Sequence, residues 1–150
     1  MNLKSIYHVN VNCTNFNRSF EFYKMLGFRP IVGPAPSPKW ISDKVLKLGP
    51  DTNAYGVIME IGDDKYCSHL DLIEWKRPKT AGRPYERVTN LGITRLCFYS
   101  KNIWQDYATL KARGVKFYSE PNARKNAAGQ PAIVCFEDPD GVILELAEYR

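Results

Sequence analysis

The chain has 150 residues, of which 44% are hydrophobic and 25% charged, and its formal net charge is +5. This composition is typical of one globular domain, and no apolar run approaches the roughly 18 residues that a membrane helix needs. The basic residues are scattered without a nucleic-acid motif, so neither nucleic acid nor a membrane is an expected partner.

The N-terminus and the cysteines indicate a location. A strand pattern begins by Ile6, which leaves no room for the apolar segment of a signal peptide. The cysteines lack CxxC spacing, so we expect reduced thiols and a cytoplasmic protein. The positive charge leaves two interpretations open: a preference for anionic small molecules, or ordinary solubility.

The first half of the chain predicts a strand, a helix and three further strands. Residues 5–12 alternate, with Val9 and Val11 on one face and His8 and Asn10 on the other. The remaining predictions are a helix that Thr14 or Asn15 caps and Gly27 ends, and strands at 28–32, 55–61 and 68–75.

An insertion at 33–54 interrupts this half. Its proline-rich start, residues 33–38, predicts a loop, because prolines at this density do not fit a helix or a central strand. Trp40 follows in the same insertion and is a candidate for a lid. A turn is expected at 62–64, and residues 77–90 are interpreted as a linker.

The second half repeats the pattern. Asn102 is expected to cap a helix that Gly114 ends, and strands are predicted at 115–118, 131–136 and 142–149, with a turn at 138–141. Residues 6–11 match residues 93–98 in layout at an offset of 87, and residues 70–76 match 144–150 at an offset of 74. The shorter second offset reflects the insertion in the first half.

This duplication predicts an α+β fold. We expect two tandem βαβββ units, residues 1–76 and 91–150, that form curved mixed sheets around a central cavity within one compact domain, with the helices on the outer face. The offsets make His8 equivalent to Arg95, and Asp71 equivalent to Glu145. Strand alternation puts these polar residues opposite the neighbouring leucines, so we expect them to face the cavity.

The chain resembles the vicinal oxygen chelate superfamily, which includes glyoxalases, bleomycin-resistance proteins, methylmalonyl-CoA epimerases and extradiol dioxygenases. The resemblance spans residues 5–150. It rests on Tyr7-His8-Val9, the helix end at 20–28, Gly92-Ile93, the segment 110–115, and Asp138-Pro139-Asp140-Gly141 before Leu144-Glu145-Leu146.

The resemblance implies a metal site built from the first and last strand of each unit. The matching positions are His8, Asp71, Arg95 and Glu145, and the implied ion is Zn, Ni, Mn or Fe, with no organic cofactor. Arg95 departs from this pattern, because a guanidinium offers only donors and cannot coordinate a cation. His69, which shares a strand face with Asp71, is a possible substitute ligand.

Two classes of function remain open. In the first, the chain is an isomerase or lyase for a small oxygenated molecule, in which Glu145 or His8 moves a proton and Arg95 holds the oxyanion; ring cleavage with iron is a less favoured variant. In the second, it is a bleomycin-resistance-like binding protein without a metal, and Glu145 and Arg95 only neutralise each other. Further substrate contacts are expected from Asn10, Tyr55 and Trp40. The substrate is not identified, and a homodimer is expected.

Overall fold

The computed structural model describes residues 1–63, 67–122 and 131–149. The chain divides into two compact units, Met1–Gly82 and Arg83–Arg150, and the boundary lies within the predicted linker. Within the described residues, no helix combines the length and the apolar character needed to cross a membrane.

The first unit contains a mixed four-stranded sheet in the order β1-β4-β3-β2. Strand β1 runs parallel to β4, and the other two pairs are antiparallel. Its elements are β1 (His8–Asn12), α1 (Phe16–Met25), β2 (Arg29–Pro36), a short π-helix (Ile41–Val45), β3 (Asn53–Ile61) and β4 (Ser68–Arg77).

The second unit contains a mixed three-stranded sheet in the order β5-β7-β6, in which β5 and β7 are parallel. Its elements are β5 (Leu96–Tyr99), α2 (Ile103–Ala112), β6 (Ala132–Glu137) and β7 (Ile143–Glu148). The predicted α+β class, with two curved mixed sheets and few helices, is confirmed.

An asparagine caps each helix: Asn15 is one of the two caps that the sequence allows for α1, and Asn102 is the predicted cap of α2. The side chain of Asn15 accepts a hydrogen bond from Arg18 N–H, and that of Asn102 accepts one from Gln105 N–H. These bonds satisfy backbone donors that have no partner within the helix. Gly27 follows α1 with a φ of 103°, a conformation that residues with a Cβ rarely adopt.

A glutamate on the last strand of each unit also receives the first helical N–H. Glu74 Oε2 accepts from Phe16 N–H at 2.9 Å, and Glu148 Oε2 accepts from Ile103 N–H at 3.0 Å. The two glutamates and the two helix residues stand at the offsets of the sequence repeat. The helix dipole stabilises a carboxylate at a helix N-terminus. Because each glutamate belongs to a strand, its hydrogen bond also attaches the helix to the sheet.

The core of each unit lies on the helix side of its sheet. Strand β4 alternates so that Leu70 and Leu72 are buried while their neighbours are half-buried. In the second unit, Leu144 is fully buried beside Phe136, its partner in the sheet. In β4 the period of two therefore corresponds to one covered and one more polar face, whereas in β7 residues on both faces are buried, Glu145 among them.

Several predicted boundaries are wrong. The segment 33–36 is not a loop but the end of β2, an edge strand whose pairing with β3 shifts register twice; an edge strand tolerates proline because its outer N–H groups need no partner. The segment 115–118 is not a regular strand: it forms an isolated bridge from Phe117 to Phe136, and Tyr118 N–H donates to the carbonyl of Cys135. The first strand begins at His8 and not at residue 5. Residue 64 of the predicted turn lies outside the described residues.

We expect Glu74→Ala and Glu148→Ala each to lower the free energy of unfolding by about 1–3 kcal/mol, because a helical N–H loses its acceptor. Glu21→Ala, at an exposed ion pair on α1, should change it by less than about 0.5 kcal/mol. Urea unfolding followed by circular dichroism measures all three. Equal, small effects at the three positions would contradict the assignment of these glutamates to the helix–sheet junction.

The Glu74 contribution should also depend on pH. Burial alone would raise the pKa of the Glu74 carboxyl. The hydrogen bonds from Lys76 and from Phe16 N–H lower it, and together they outweigh burial, so the pKa is below the ordinary 4.5. Because the folded pKa is the lower one, the stabilisation is present above pH 4.5 and is lost as the pH falls through the folded pKa. The stability difference between the native chain and Glu74→Ala should shrink there.

Candidate functional site

Parallel pairing of β1 with β4 assembles a polar face in the first unit. His8 lies beside His69 in the register, Asn10 lies beside Asp71, and β3 places Glu60 on the other side of His69. These residues alternate with Leu70 and its neighbours, so they lie on the face of the sheet that α1 does not cover. We call this surface the polar face of the first unit; its members are His8, Asn10, Glu60, His69 and Asp71.

Asp71 is held in place on this face. Asn10 Nδ2 donates a hydrogen bond of 2.8 Å to Asp71 Oδ2. Burial raises the pKa of the Asp71 carboxyl above its ordinary value, although the charge of His8 and the Asn10 hydrogen bond act in the opposite direction. The shift reflects a carboxyl that is partly removed from water and close to an imidazole.

His8 has an unsatisfied ring nitrogen. Its Nδ1 is buried and has no hydrogen-bond partner among the described residues. Buried polar atoms in native proteins are nearly always hydrogen-bonded, so an atom of this kind indicates a place where a ligand can bind. His8 is one of the four positions to which the sequence repeat points.

The equivalent positions of the second unit form an ion pair. Arg95 Nε donates to Glu145 Oε2 at 2.8 Å, and the Glu145 side chain is 10% exposed while that of Arg95 is 49% exposed. The same carboxylate oxygen lies 3.7 Å from Cys135 Sγ. Mutual neutralisation, one of the two interpretations of this pair from the sequence, is thus present in the geometry.

The residues at the family's metal positions do not fit a divalent ion. Arg95 has no lone pair to give, and its guanidinium already takes up one oxygen of Glu145. In the first unit, the His8 Nδ1 has no partner among the described residues, and Asp71 accepts from Asn10 through one of its two oxygens, so the misfit lies in the second unit. At position 95 a cation therefore replaces an expected metal ligand, and Glu145, a second expected ligand, is paired with that cation.

The other predicted contacts lie elsewhere. Tyr55 is on the helix side of the sheet, packed edge-on against Phe16 at 4.9 Å between ring centroids. There it lines an open cavity of about 460 Å³ together with Glu74, Lys76 and the start of α1. The sheet does not bring Tyr55 together with Asp71, because the register puts them on opposite faces. Trp40 precedes the π-helix and is 58% exposed.

The chain matches the family model of the Glyoxalase/Bleomycin resistance protein/Dioxygenase superfamily over residues 5–146. The chain belongs to this superfamily. The match covers both units, in agreement with the resemblance read from the sequence. The superfamily contains enzymes, including glyoxalases and dioxygenases, and also proteins that bind small molecules without turnover.

Individual superfamily members are distant in sequence. The glyoxalase domain-containing protein RDO1 of Mycosarcoma maydis is 22% identical over the whole of this chain and 71% of its own length. A glyoxalase family protein from Bacillus cereus has a TM-score of 0.84 at 19% identity, over 99% of this chain and 96% of its own. TnmS3, an antibiotic-binding protein from Streptomyces sp. CB03234, has a TM-score of 0.63 at 18% identity over 100% and 99%. These structural likenesses establish the fold alone.

The sequence interpretation missed one cluster in the first unit. Glu60, Cys67 and His69 place a carboxylate oxygen, a thiol sulfur and a ring nitrogen within 4.8 Å of one another. The alternating Cys67-x-His69 spacing was the available signal, since it puts both side chains on one strand face. Glu60 could not be found, because its pairing with His69 depends on the register of the β3–β4 hairpin.

The Glu145 carboxylate should suppress the reactivity of Cys97. Partial removal from water and the neighbouring Glu145 carboxylate raise the pKa of this thiol to about 12, although the charge of Arg95 acts in the opposite direction, so little thiolate is present at pH 8. We expect Glu145→Gln to accelerate alkylation of Cys97 by iodoacetamide. Peptide mass spectrometry measures the rate at this cysteine, and Glu137→Gln on β6 is the control. An unchanged rate in Glu145→Gln would contradict the electrostatic coupling.

Proposed function

We propose that the chain is an enzyme of the glyoxalase type that moves a proton next to a carbonyl group in a small oxygenated molecule, as an isomerase or a lyase does. The observation that carries this proposal is the Nδ1 of His8, which is buried near the Asp71 carboxyl and has no hydrogen-bond partner in the part of the chain that the structure describes. A substrate atom is the natural partner for such a nitrogen.

His8 is proposed to transfer the proton. Imidazole can accept a proton at one step and return it at the next, and histidine is the side chain that enzymes use most often for this purpose. Asp71 contributes to the same step as a neighbouring negative charge, since it favours the imidazolium that forms during transfer. Asn10 fixes the carboxyl through its 2.8 Å hydrogen bond and is assigned a positioning role.

Arg95 is proposed to bind the oxygen of the substrate that becomes negative. Its half-exposed guanidinium donates one N–H to Glu145 and has further donors for an enolate or a carboxylate. Glu145 then acts as a positioning residue that orients Arg95, and His8, not Glu145, is the general base of this proposal. In this proposal a fixed cation supplies the charge stabilisation that a metal gives elsewhere in the superfamily.

A second function, ligand binding without turnover, is favoured by one observation. The Arg95–Glu145 pair is a neutral, hydrogen-bonded unit that needs no chemistry to explain it. An antibiotic-binding protein shares the fold, which shows that this architecture accommodates such a role. The two functions make different predictions for His8.

Exchange of carbon-bound hydrogen in deuterated water tests the enzyme directly. The purified chain is incubated with 2-oxo acids, α-hydroxy ketones and acyl thioesters, and loss of the α-proton signal is followed by NMR. We expect accelerated exchange with at least one of these classes. His8→Gln should lower that rate by about 100- to 10,000-fold, the usual contribution of a general acid–base residue. Lys101→Gln, at an exposed position, is the control.

The outcomes separate the two functions. If none of the classes exchanges faster than without protein, the enzyme proposal is overturned, and thermal shifts with the same compounds then decide whether the chain binds them. If His8→Gln exchanges as fast as the native chain, His8 is not the proton carrier. Circular dichroism of each variant ensures that a loss of rate does not reflect a loss of fold.

The variant Arg95→Met, which still contains His8, should lower the rate of substrate hydrogen exchange. Since the guanidinium stabilises charge that develops during reaction, we expect a fall in kcat of roughly 100-fold or more, with a smaller rise in KM. Arg95→Lys, which keeps the charge but not the planar donors, should recover part of the loss. A rate equal to that of the native chain in Arg95→Met would show that the residue only neutralises Glu145.

A further inference from the structure

The cluster of Glu60, Cys67 and His69 lies where β3 turns into β4, and the proposed function does not use it. Cys67 Sγ is 3.4 Å from Glu60 Oε2 and 3.7 Å from His69 Nε2, and His69 Nε2 is 3.7 Å from Glu60 Oε2. The side chains of His69 and Glu60 are 14% and 18% exposed, so the cluster is partly shielded from water.

These distances match one face of a tetrahedral zinc centre. Zinc binds sulfur at about 2.3 Å and nitrogen or oxygen at about 2.0–2.2 Å, so two ligand atoms on a tetrahedron are roughly 3.4–3.6 Å apart. The three separations in the cluster lie within a few tenths of an ångström of those edges. A metal ion would therefore require little movement of the ligands.

His69 is oriented for ligation. Its Nδ1 lies 3.0 Å from the backbone carbonyl of Tyr7, which can only accept, so in the neutral ring Nδ1 carries the hydrogen and Nε2 has the lone pair. The Tyr7 ring stacks on the imidazole at 4.7 Å between centroids. A histidine that donates its other N–H to a carbonyl is the usual arrangement around a protein-bound metal.

Glu60 is also oriented by a neighbour. Arg29 Nε donates to Glu60 Oε1 at 2.9 Å, which leaves Oε2 directed at the sulfur and the imidazole. Arg29 lies in turn 3.5 Å from an Asp63 oxygen. A thiolate and the Glu60 carboxylate would balance a divalent ion, while Asp63 offsets the charge of Arg29.

We propose that Glu60, Cys67 and His69 form a Zn²⁺ site with three protein ligands and one position open to solvent. A mixed sulfur, nitrogen and oxygen set suits zinc and does not suit magnesium or calcium, which take oxygen ligands. Binding replaces the thiol S–H bond by a Zn–S bond and releases the proton to solvent. The site is separate from the superfamily's metal positions and does not rest on the proposed function.

Cobalt substitution and zinc titration test the site. The metal-free chain is titrated with Co²⁺, and we expect one ion per chain with the near-ultraviolet absorption of a thiolate–cobalt bond and visible bands of tetrahedral geometry. Zn²⁺ should displace the cobalt and abolish this spectrum. Calorimetry with Zn²⁺ should then show that Cys67→Ser and His69→Gln weaken binding by more than the roughly 10- to 100-fold that loss of an outer hydrogen-bond partner causes.

Matched variants locate the ion. Cys97→Ser removes a cysteine of the second unit and should leave the cobalt spectrum intact, and His8→Gln should leave it intact as well. The proposal is overturned if Cys67→Ser retains the thiolate absorption, if binding depends on His8 and Asp71 instead, or if the native chain takes up no zinc at micromolar concentration. Thermal unfolding provides a second readout, since zinc should stabilise the native chain and not a folded Cys67→Ser variant.

Discussion

Parallel pairing of the first and last strand is the constraint on which both units depend. It brings Asn10 beside Asp71 and Cys97 beside Glu145, although the members of each pair are about 50 to 60 residues apart in the chain. Because side chains alternate along a strand, a slip by one residue would move every polar group of a strand to the helix side and its leucines to the polar face. The glutamate–helix contacts at Phe16 and Ile103 oppose such a slip, since they tie the last strand of each unit to the start of its helix.

The two units keep this framework and differ in the chemistry that they place on it. At equivalent positions, the first unit has the half-buried His8 and the second has the half-exposed Arg95. A hydrogen bond holds the acid in each unit. The side-chain amide of Asn10 donates to Asp71, and the guanidinium of Arg95 donates to Glu145. One unit thus retains a group that can gain and lose a proton, while the other retains a permanent positive charge. The two units therefore place different chemistry at equivalent positions of the same framework.

The local elements could be predicted from the sequence, and the reason is that their signals are local. Asn15 and Asn102 as caps, the apolar helix stripes and the alternation of β4 are set by residues within a few positions of one another. The equivalence of Asp71 and Glu145 could also be predicted, because the repeat relates each position in one half to a position in the other. The edge strand at 33–36 and the contact of Glu60 with His69 could not be predicted. Both depend on the register between strands, which no short sequence pattern encodes.

The family's metal positions and the hairpin cluster differ in the ligand atoms that they offer to a metal ion. The family positions offer zinc a nitrogen from His8 and carboxyl oxygens that already accept hydrogen bonds from Asn10 or Arg95. The hairpin cluster offers a sulfur as well as nitrogen and oxygen, with Nε2 of His69 already directed inward. Thiolate is the strongest of these ligands for zinc. Arg29 donates to Oε1 of Glu60, but Oε2 of Glu60 is directed at the sulfur and the imidazole. In our proposal the zinc ion therefore binds at Cys67, and His8 serves the chemistry of a bound molecule.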